Sequence, residues 1–182
     1  MKKIFSTALF LLCITLPTNL FSQTIEQDTT SIKYHLSNED SAQDIKDAYT
    51  QLEPQLLADI KWLNDTPIKT EEKQIRDEKA RFVLMWMSGS PTVSIQMDDR
   101  LITFLGADPA ILMAYMMGWT QYAIENNYSD DTIQCSVAGI TNAVSFYSKN
   151  KKNFKENKEL EKYKNMIDGG TLTRHVADIL TK

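Results

Sequence analysis

The sequence predicts a mainly α-helical protein, with one compact domain of about six helices over residues 38–182 and a short β-hairpin near residues 92–105. Two observations favour this fold class. Apolar residues recur at alternating steps of three and four along most of the chain, which is the spacing of one face of a helix. The breaks between these stretches are short and carry helix-capping residues, Pro or Gly. No break is long enough to divide the domain.

The first 22 residues have the pattern of a secretory signal peptide. Lys2 and Lys3 precede an uncharged, mostly apolar run that ends at Pro17. This run is shorter than the roughly 20 residues of a membrane-spanning helix. We therefore expect cleavage after Ser22, no transmembrane segment in the mature chain, and an exported protein that is periplasmic or secreted. Residues 23–37 are polar and aperiodic, which indicates a flexible lead-in.

The first two helices are predicted between Ser37 and Pro91. Helical order begins near Ser37, and Pro54 within the first helix predicts a kink or a split into two helices, because proline removes a backbone donor and clashes with the preceding turn. The second helix begins near Thr70 with a charged, exposed half and ends in an apolar half. The apolar stripe of the first helix consists of Ile45, Tyr49, Leu52, Leu56, Ile60 and Leu63.

The short hairpin is predicted in the segment that follows Pro91. Val93, Ile95 and Met97 alternate with polar residues, and this period of two with β-branched side chains is typical of a strand. A second apolar stretch, residues 101–105, would form the other strand.

A central buried helix is predicted to start at Asp108 and Pro109, a capping residue followed by proline at the first helical position. It carries no charge until Glu125, yet it is too short and too polar to span a membrane. Three further helices are predicted from their apolar stripes. These stripes are Ile133, Val137, Ile140, Val144 and Tyr147 in the first, Leu160, Tyr163 and Ile167 in the second, and Leu172, Val176 and Ile179 in the third.

Composition and motifs exclude several kinds of partner and site. The chain has 20 basic and 24 acidic residues. Cleavage of the leader would remove two of the basic residues, so we expect the mature protein to be mildly acidic. Such a protein repels phosphate backbones, and we expect no nucleic-acid partner. His35 lies in the lead-in, which leaves His175 alone for a zinc site or a serine triad. No zinc-protease, nucleophile-elbow or nucleotide-binding motif occurs, so neither a metal nor a cofactor is predicted.

The best candidate for a binding site surrounds the break after the second helix. Trp86 and Trp119 lie beside Gly89 and Gly118, and a Trp next to a Gly can line a groove that receives a ligand or peptide. Packing in the core is the alternative. The binding hypothesis names an unknown protein or a small apolar molecule as the partner, and its residues are Trp86, Ser88, Gly89, Ser90, Pro91 and Trp119.

Carboxylates are the catalytic groups that remain. Asp98 and Asp99 lie at the predicted hairpin tip, and Glu78 and Glu125 lie where helices pass from polar to apolar surroundings, which raises a carboxyl pKa. Cys135 is interpreted as a buried structural thiol. A carboxylate-dependent hydrolase acting on envelope polymers is therefore the alternative to a non-catalytic binding protein.

Three segments, Leu84–Ile95, Asp108–Pro109 and Met117–Trp119, resemble small exported proteins of Bacteroidota that have no assigned function. The leader ending in Ser22 and Gln23 is similar to theirs as well. The resemblance extends over residues 55–180. It implies export and implies no activity.

We expect the exported protein to begin within a few residues of Gln23, because the two lysines, the uncharged run and Pro17 direct cleavage to that region. Mass spectrometry of the protein isolated from native envelope and medium fractions measures this N-terminus. A product that retains Met1 would contradict the predicted export.

Overall fold

The fold described here comes from a computed structural model that describes residues 41–104, 106 and 108–182. The predicted signal peptide (1–22) and lead-in (23–37) lie outside these residues. Of the described residues, 73% are helical and none forms a strand, which confirms the mainly helical prediction. The six helices are α1 (Ala42–Asp65), α2 (Lys73–Gly89), α3 (Pro109–Glu125), α4 (Thr132–Lys149), α5 (Lys158–Asp168) and α6 (Leu172–Leu180), with 3-10 turns at Thr70–Glu72 and Lys151–Asn153.

Helix α1 begins with a capping box and passes through Pro54 undivided. The Ser41 hydroxyl accepts a hydrogen bond from the Asp44 N–H at 3.2 Å, and the Asp44 carboxylate accepts one from the Ser41 N–H at 3.0 Å. Of the kink or split expected at Pro54, the split does not occur, since α1 is one helix of 24 residues. Proline removes a single backbone hydrogen bond, and Tyr49 and Leu56, buried on either side of it, hold both halves against the core.

The predicted starts of the central helices depend on acidic caps. Asp108 accepts a hydrogen bond from the Ala110 N–H at 2.8 Å, and Pro109 is the first residue of α3, as the sequence predicts. Asp131 caps α4 by accepting hydrogen bonds from two backbone N–H groups of its first turn, both at 3.0 Å. These acceptors satisfy donors that have no partner within the helix. The caps thereby set where the two most buried helices begin.

Helices α3 and α4 make the most extensive helix–helix contact among the described residues. A Cβ atom added at Gly118 would lie 2.5 Å from the Asn142 Cβ and 2.7 Å from the Ala138 carbonyl oxygen. One added at Gly139 would lie 2.7 Å from the Tyr115 ring. All three distances are shorter than normal van der Waals contact, so the two backbones approach this closely only because glycine occupies both positions.

Helix α4 is buried on more than the predicted face, because it contacts α3, α5 and α6. Ile140, Val144 and Tyr147 of the predicted stripe are buried, whereas Ile133 and Val137 are half-buried. The additional buried residues of α4 are small or aromatic and comprise Cys135, Ser136, Gly139, Ala143 and Phe146.

The hairpin expected near residues 92–105 is not present in the described part of that segment, which is an irregular loop. Two of its carbonyl groups accept hydrogen bonds from tyrosine side chains of the helices instead of from a second strand. The Tyr115 hydroxyl donates to the Gln96 carbonyl at 3.2 Å, and the Tyr163 hydroxyl donates to the Leu101 carbonyl at 2.6 Å. Of the three alternating apolar residues, Val93 is buried, Ile95 is half-buried and Met97 is exposed. The second apolar stretch anchors the loop to the core through the buried residues Leu101, Ile102 and Phe104.

We expect Gly118→Ala to destabilise the protein by about 1–2 kcal/mol, because overpacking at the α3–α4 contact costs more than alanine gains in helix propensity. Gly106→Ala is the control, since a Cβ atom there meets nothing within 4 Å. Urea denaturation of both variants measures the difference. Equal urea midpoints for Gly118→Ala and the wild type would show that α3 and α4 move apart to accommodate the methyl group without loss of stability.

Candidate functional site

Trp86, the first predicted binding residue, lies in the core. Its side chain is 0% exposed, and its indole Nε1 donates to the Tyr49 carbonyl oxygen at 3.1 Å. The two rings meet edge to face, with centroids 5.7 Å apart. Trp86 therefore joins α2 to α1 and does not line an open groove.

Gly89 also contributes to the contact between α2 and α1. A Cβ atom at Gly89 would lie 2.0 Å from the Tyr49 hydroxyl oxygen, so Gly89 makes room for Tyr49. Ser88 donates to the Leu84 carbonyl at 2.7 Å, and the Ser90 hydroxyl accepts from the backbone N–H groups of the two residues after Pro91, at 3.2 and 3.1 Å. These contacts end α2 and turn the chain. Ser88, Gly89 and Pro91 are nonetheless exposed.

Trp119 is buried as well, at 2% exposure, and packs on Tyr115 with ring centroids 6.1 Å apart. The two predicted tryptophans thus pack on different tyrosines, one in α1 and one in α3. Both tryptophans therefore pack in the core, which is the alternative to a binding groove that the sequence left open. Of the predicted set, only the exposed residues of the break remain available to a partner.

The carboxylates suggested for catalysis have ordinary surface partners. Asp98 makes a bidentate ion pair with Arg100, with distances of 2.6 to 3.2 Å, and this hydrogen bonding holds the pKa of Asp98 below its usual value. Glu78 accepts from Gln74 at 3.0 Å, and Glu125 accepts from Gln121 at 2.9 Å. The lowered pKa of Asp98 is the opposite of what a general acid requires.

Cys135 is buried and free. Burial, together with the nearby charges of Asp131 and Asp130, raises the pKa of its thiol to about 11. The thiol therefore stays protonated at neutral pH and is a poor nucleophile, in agreement with the structural interpretation.

Glu53 is a perturbed carboxylate that the sequence analysis missed. It is 8% exposed, and the Tyr128 hydroxyl donates to its two oxygens at 3.1 and 3.0 Å. Burial raises the pKa of Glu53, and the hydrogen bond from Tyr128 opposes that shift. Tyr128 has a left-handed backbone, with φ of 58°, and the residue before it has φ of 57°. The signal in the sequence was the position of Glu53 four residues after Tyr49, within the apolar stripe of α1.

A polar cleft of about 230 Å³ lies where α1, α3 and α4 meet, and we call it the α1–α3–α4 cleft. Its lining contains two ammonium groups, one carboxylate, three carboxamides and one hydroxyl. The eight lining residues are Lys61, Asn64 and Asp65 from α1, Gln121 from α3, and Asn142, Ser145, Phe146 and Lys149 from α4. No pattern in the sequence pointed to these residues, because seven are ordinary polar residues of their own helices and Phe146 is a buried residue of α4.

Asn142 and Lys149 join the three helices at this cleft. The Asn142 amide nitrogen donates to the Ala114 carbonyl of α3 at 2.7 Å and to the side-chain oxygen of Asn64 at 3.1 Å. The Lys149 ammonium donates to the Asn64 carbonyl at 2.7 Å and lies 3.5 Å from Asp65. Lys61 forms an ion pair with Asp65, and its hydrogen bond and charge hold the pKa of Asp65 below its usual value. The helices that border the cleft are therefore joined by hydrogen bonds, and Asp65 is ionised at neutral pH.

No family model, curated protein or solved structure matches the chain. Within the described residues, no group of three or more His, Cys, Asp or Glu side chains is placed to hold a metal ion. None of the helices in the same residues combines the length and the apolar character needed to cross a membrane.

Trp86→Ala is expected to lower the free energy of unfolding by about 3–5 kcal/mol, the usual cost of removing a large buried aromatic side chain. Leu84, which lies on the same helix and is half exposed, provides the control. Leu84→Ala should change stability by only about 0.5 kcal/mol. Thermal melts compare the three proteins, and a Trp86→Ala protein that melts like the wild type would argue that the indole belongs to a binding surface.

Proposed function

We propose that the protein is an exported, non-catalytic binding protein that holds a small polar ligand in the α1–α3–α4 cleft. The observation that carries the proposal is the lining of this cleft, where carboxamides, a hydroxyl and charges of both signs converge. Such groups orient a ligand by hydrogen bonds. The eight lining residues include neither His nor Cys, and their one carboxylate is held ionised by Lys61. This chemistry favours binding over catalysis.

A polar ligand fits this site better than the apolar molecule or protein partner expected from the sequence. The apolar groove hypothesis depended on Trp86 and Trp119, and both are buried. The polar cleft, in contrast, lies on three helices that Asn142 and Lys149 hold together. A site on rigid helices keeps its groups in place before the ligand arrives, which lowers the entropic cost of binding.

Export is part of the proposal and rests on the leader. Lys2, Lys3 and the uncharged run that follows are typical of a signal peptide. The ligand would then be a solute of the periplasm or of the surroundings of the cell.

Hydrolysis of envelope polymers is the second candidate function, and Glu53 is the observation that favours it. Burial raises the pKa of this carboxyl group, as general acids require, and the Tyr128 hydroxyl orients it. Glu53→Gln would remove the proton donor of such a reaction while preserving the shape of the side chain.

Nuclear magnetic resonance of the purified protein with a panel of sugars, sugar acids and amino acids tests the proposed function. We expect at least one solute to produce saturable shifts at the amides of Asn64, Gln121, Asn142 and Ser145, with a Kd of about 1 mM or below. If no solute of the panel produces a saturable shift at these amides, the proposed function is contradicted. Fragments released from isolated envelope polysaccharide by the wild type but not by Glu53→Gln would instead support the hydrolase.

A further inference from the structure

We infer that the α1–α3–α4 cleft takes a small hydroxylated carboxylate, a molecule of the sugar-acid type with one negative charge. This inference rests on the proposed function, since it names the class of ligand for the same cleft. Its basis is the charge of the lining. Lys61 and Lys149 carry two positive charges, Asp65 carries one negative charge, and the other five lining residues are neutral. A single negative charge on the ligand balances this set.

Both ammonium groups have donors left for a ligand. An ammonium group has three N–H bonds. Lys149 directs one to the Asn64 carbonyl and lies 3.5 Å from Asp65, and Lys61 contacts Asp65. Each lysine therefore keeps at least one N–H bond for an oxygen of the ligand. Because hydrogen bonds between charged groups are stronger than neutral ones, a carboxylate is the group that gains most from these donors.

The rest of the lining suits hydroxyl groups. Both hydrogens of the Asn142 amide are used, on Ala114 and on Asn64, so this side chain is held by two other helices. None of the residues that the structure describes donates to its carbonyl oxygen, which can therefore accept from a ligand. Ser145 is an exposed hydroxyl that both donates and accepts. The half-buried carboxamide of Gln121 borders the same cleft. Hydroxyl groups of a ligand both donate and accept, and they match such a neutral, mixed surface.

The same features argue against a phosphate. Asp65 lies between the two lysines and repels a second negative charge, because its carboxylate is ionised. The volume of about 230 Å³ is smaller than that of sites for drug-sized molecules, roughly 300 Å³ and above, so the ligand is small.

The test compares sodium gluconate with sorbitol, a neutral molecule with the same six-carbon chain and five of the same hydroxyl groups, in which a CH2OH group with a sixth hydroxyl replaces the carboxylate. We expect gluconate to produce saturable amide shifts at Asn142 and Ser145 and to bind at least about tenfold more tightly than sorbitol. Higher ionic strength should weaken gluconate binding, because salt screens the attraction between exposed charges.

Lys61→Gln and Lys73→Gln provide a matched pair of variants. Both lysines form an ion pair with an aspartate four residues later, and their exposures are nearly equal, 76% for Lys61 and 73% for Lys73. Only Lys61 lines the cleft. We expect Lys61→Gln to weaken gluconate binding about threefold to tenfold and Lys73→Gln to leave it unchanged. Thermal melts should show both variants folded like the wild type, since exposed ion pairs contribute little stability.

Three results would overturn this inference alone, and a fourth would overturn the proposed function as well. If sorbitol shifts the same amides as tightly as gluconate does, the cleft binds ligands but does not select a carboxylate, and only this inference fails. If Lys61→Gln and Lys73→Gln weaken gluconate equally, the anion binds elsewhere on the surface. If gluconate produces no saturable shift while a neutral solute of the panel does, the proposed function stands without the carboxylate. Failure of every solute at these amides overturns both.

Discussion

The close contact of α3 and α4 is the constraint on which the other parts of the structure depend. Gly118 faces the Asn142 Cβ and the Ala138 carbonyl with no room for a side chain of its own. This approach brings the Asn142 amide within 2.7 Å of the Ala114 carbonyl, and the same amide reaches Asn64 of α1 at 3.1 Å. A larger residue at the contact would therefore move more than two helices, because Asn142 connects all three and also lines the polar cleft.

Tyr115 extends that constraint to the loop between α2 and α3. Its ring fills the space that Gly139 leaves, and its hydroxyl donates to the Gln96 carbonyl. Tyr163 of α5 holds the Leu101 carbonyl in the same way, and the Phe104 ring packs edge to face on both tyrosines. The loop thus has polar partners and apolar contacts without forming a sheet, and the two carbonyl groups that the tyrosines reach are paired.

Local signals predicted the helices, and long-range contacts account for what the sequence could not predict. Asp108 and Pro109 mark the start of α3 because a cap and a fixed φ act within one turn. The prediction of a hairpin near residues 92–105 was wrong. Two backbone carbonyl groups of this segment bond to tyrosine hydroxyl groups that lie 19 and 62 residues away in the sequence, and not to a second strand. The burial of Glu53 was also missed, since its partner Tyr128 lies 75 residues away. The cleft escaped prediction for the same reason, because its lysines become neighbours only when the C-terminal turns of α1 and α4 meet.

The tryptophan and glycine pattern shows why the cleft is a better candidate site than the one suggested by the sequence. Beside Trp86, the space left by Gly89 is filled by Tyr49, and in α3 the space left by Gly118 is filled by the backbone of α4. In the cleft, by contrast, the charged groups are held by contacts that a ligand can exchange. Asp65 is more than half exposed and forms ion pairs with two lysines, Lys61 and Lys149. Exposed ion pairs contribute little stability, so a ligand carboxylate can take over one of these contacts from Asp65 at small cost. The helices that position the lysines need not move for this exchange, because the backbone contact of Lys149 and both hydrogen bonds of Asn142 remain in place.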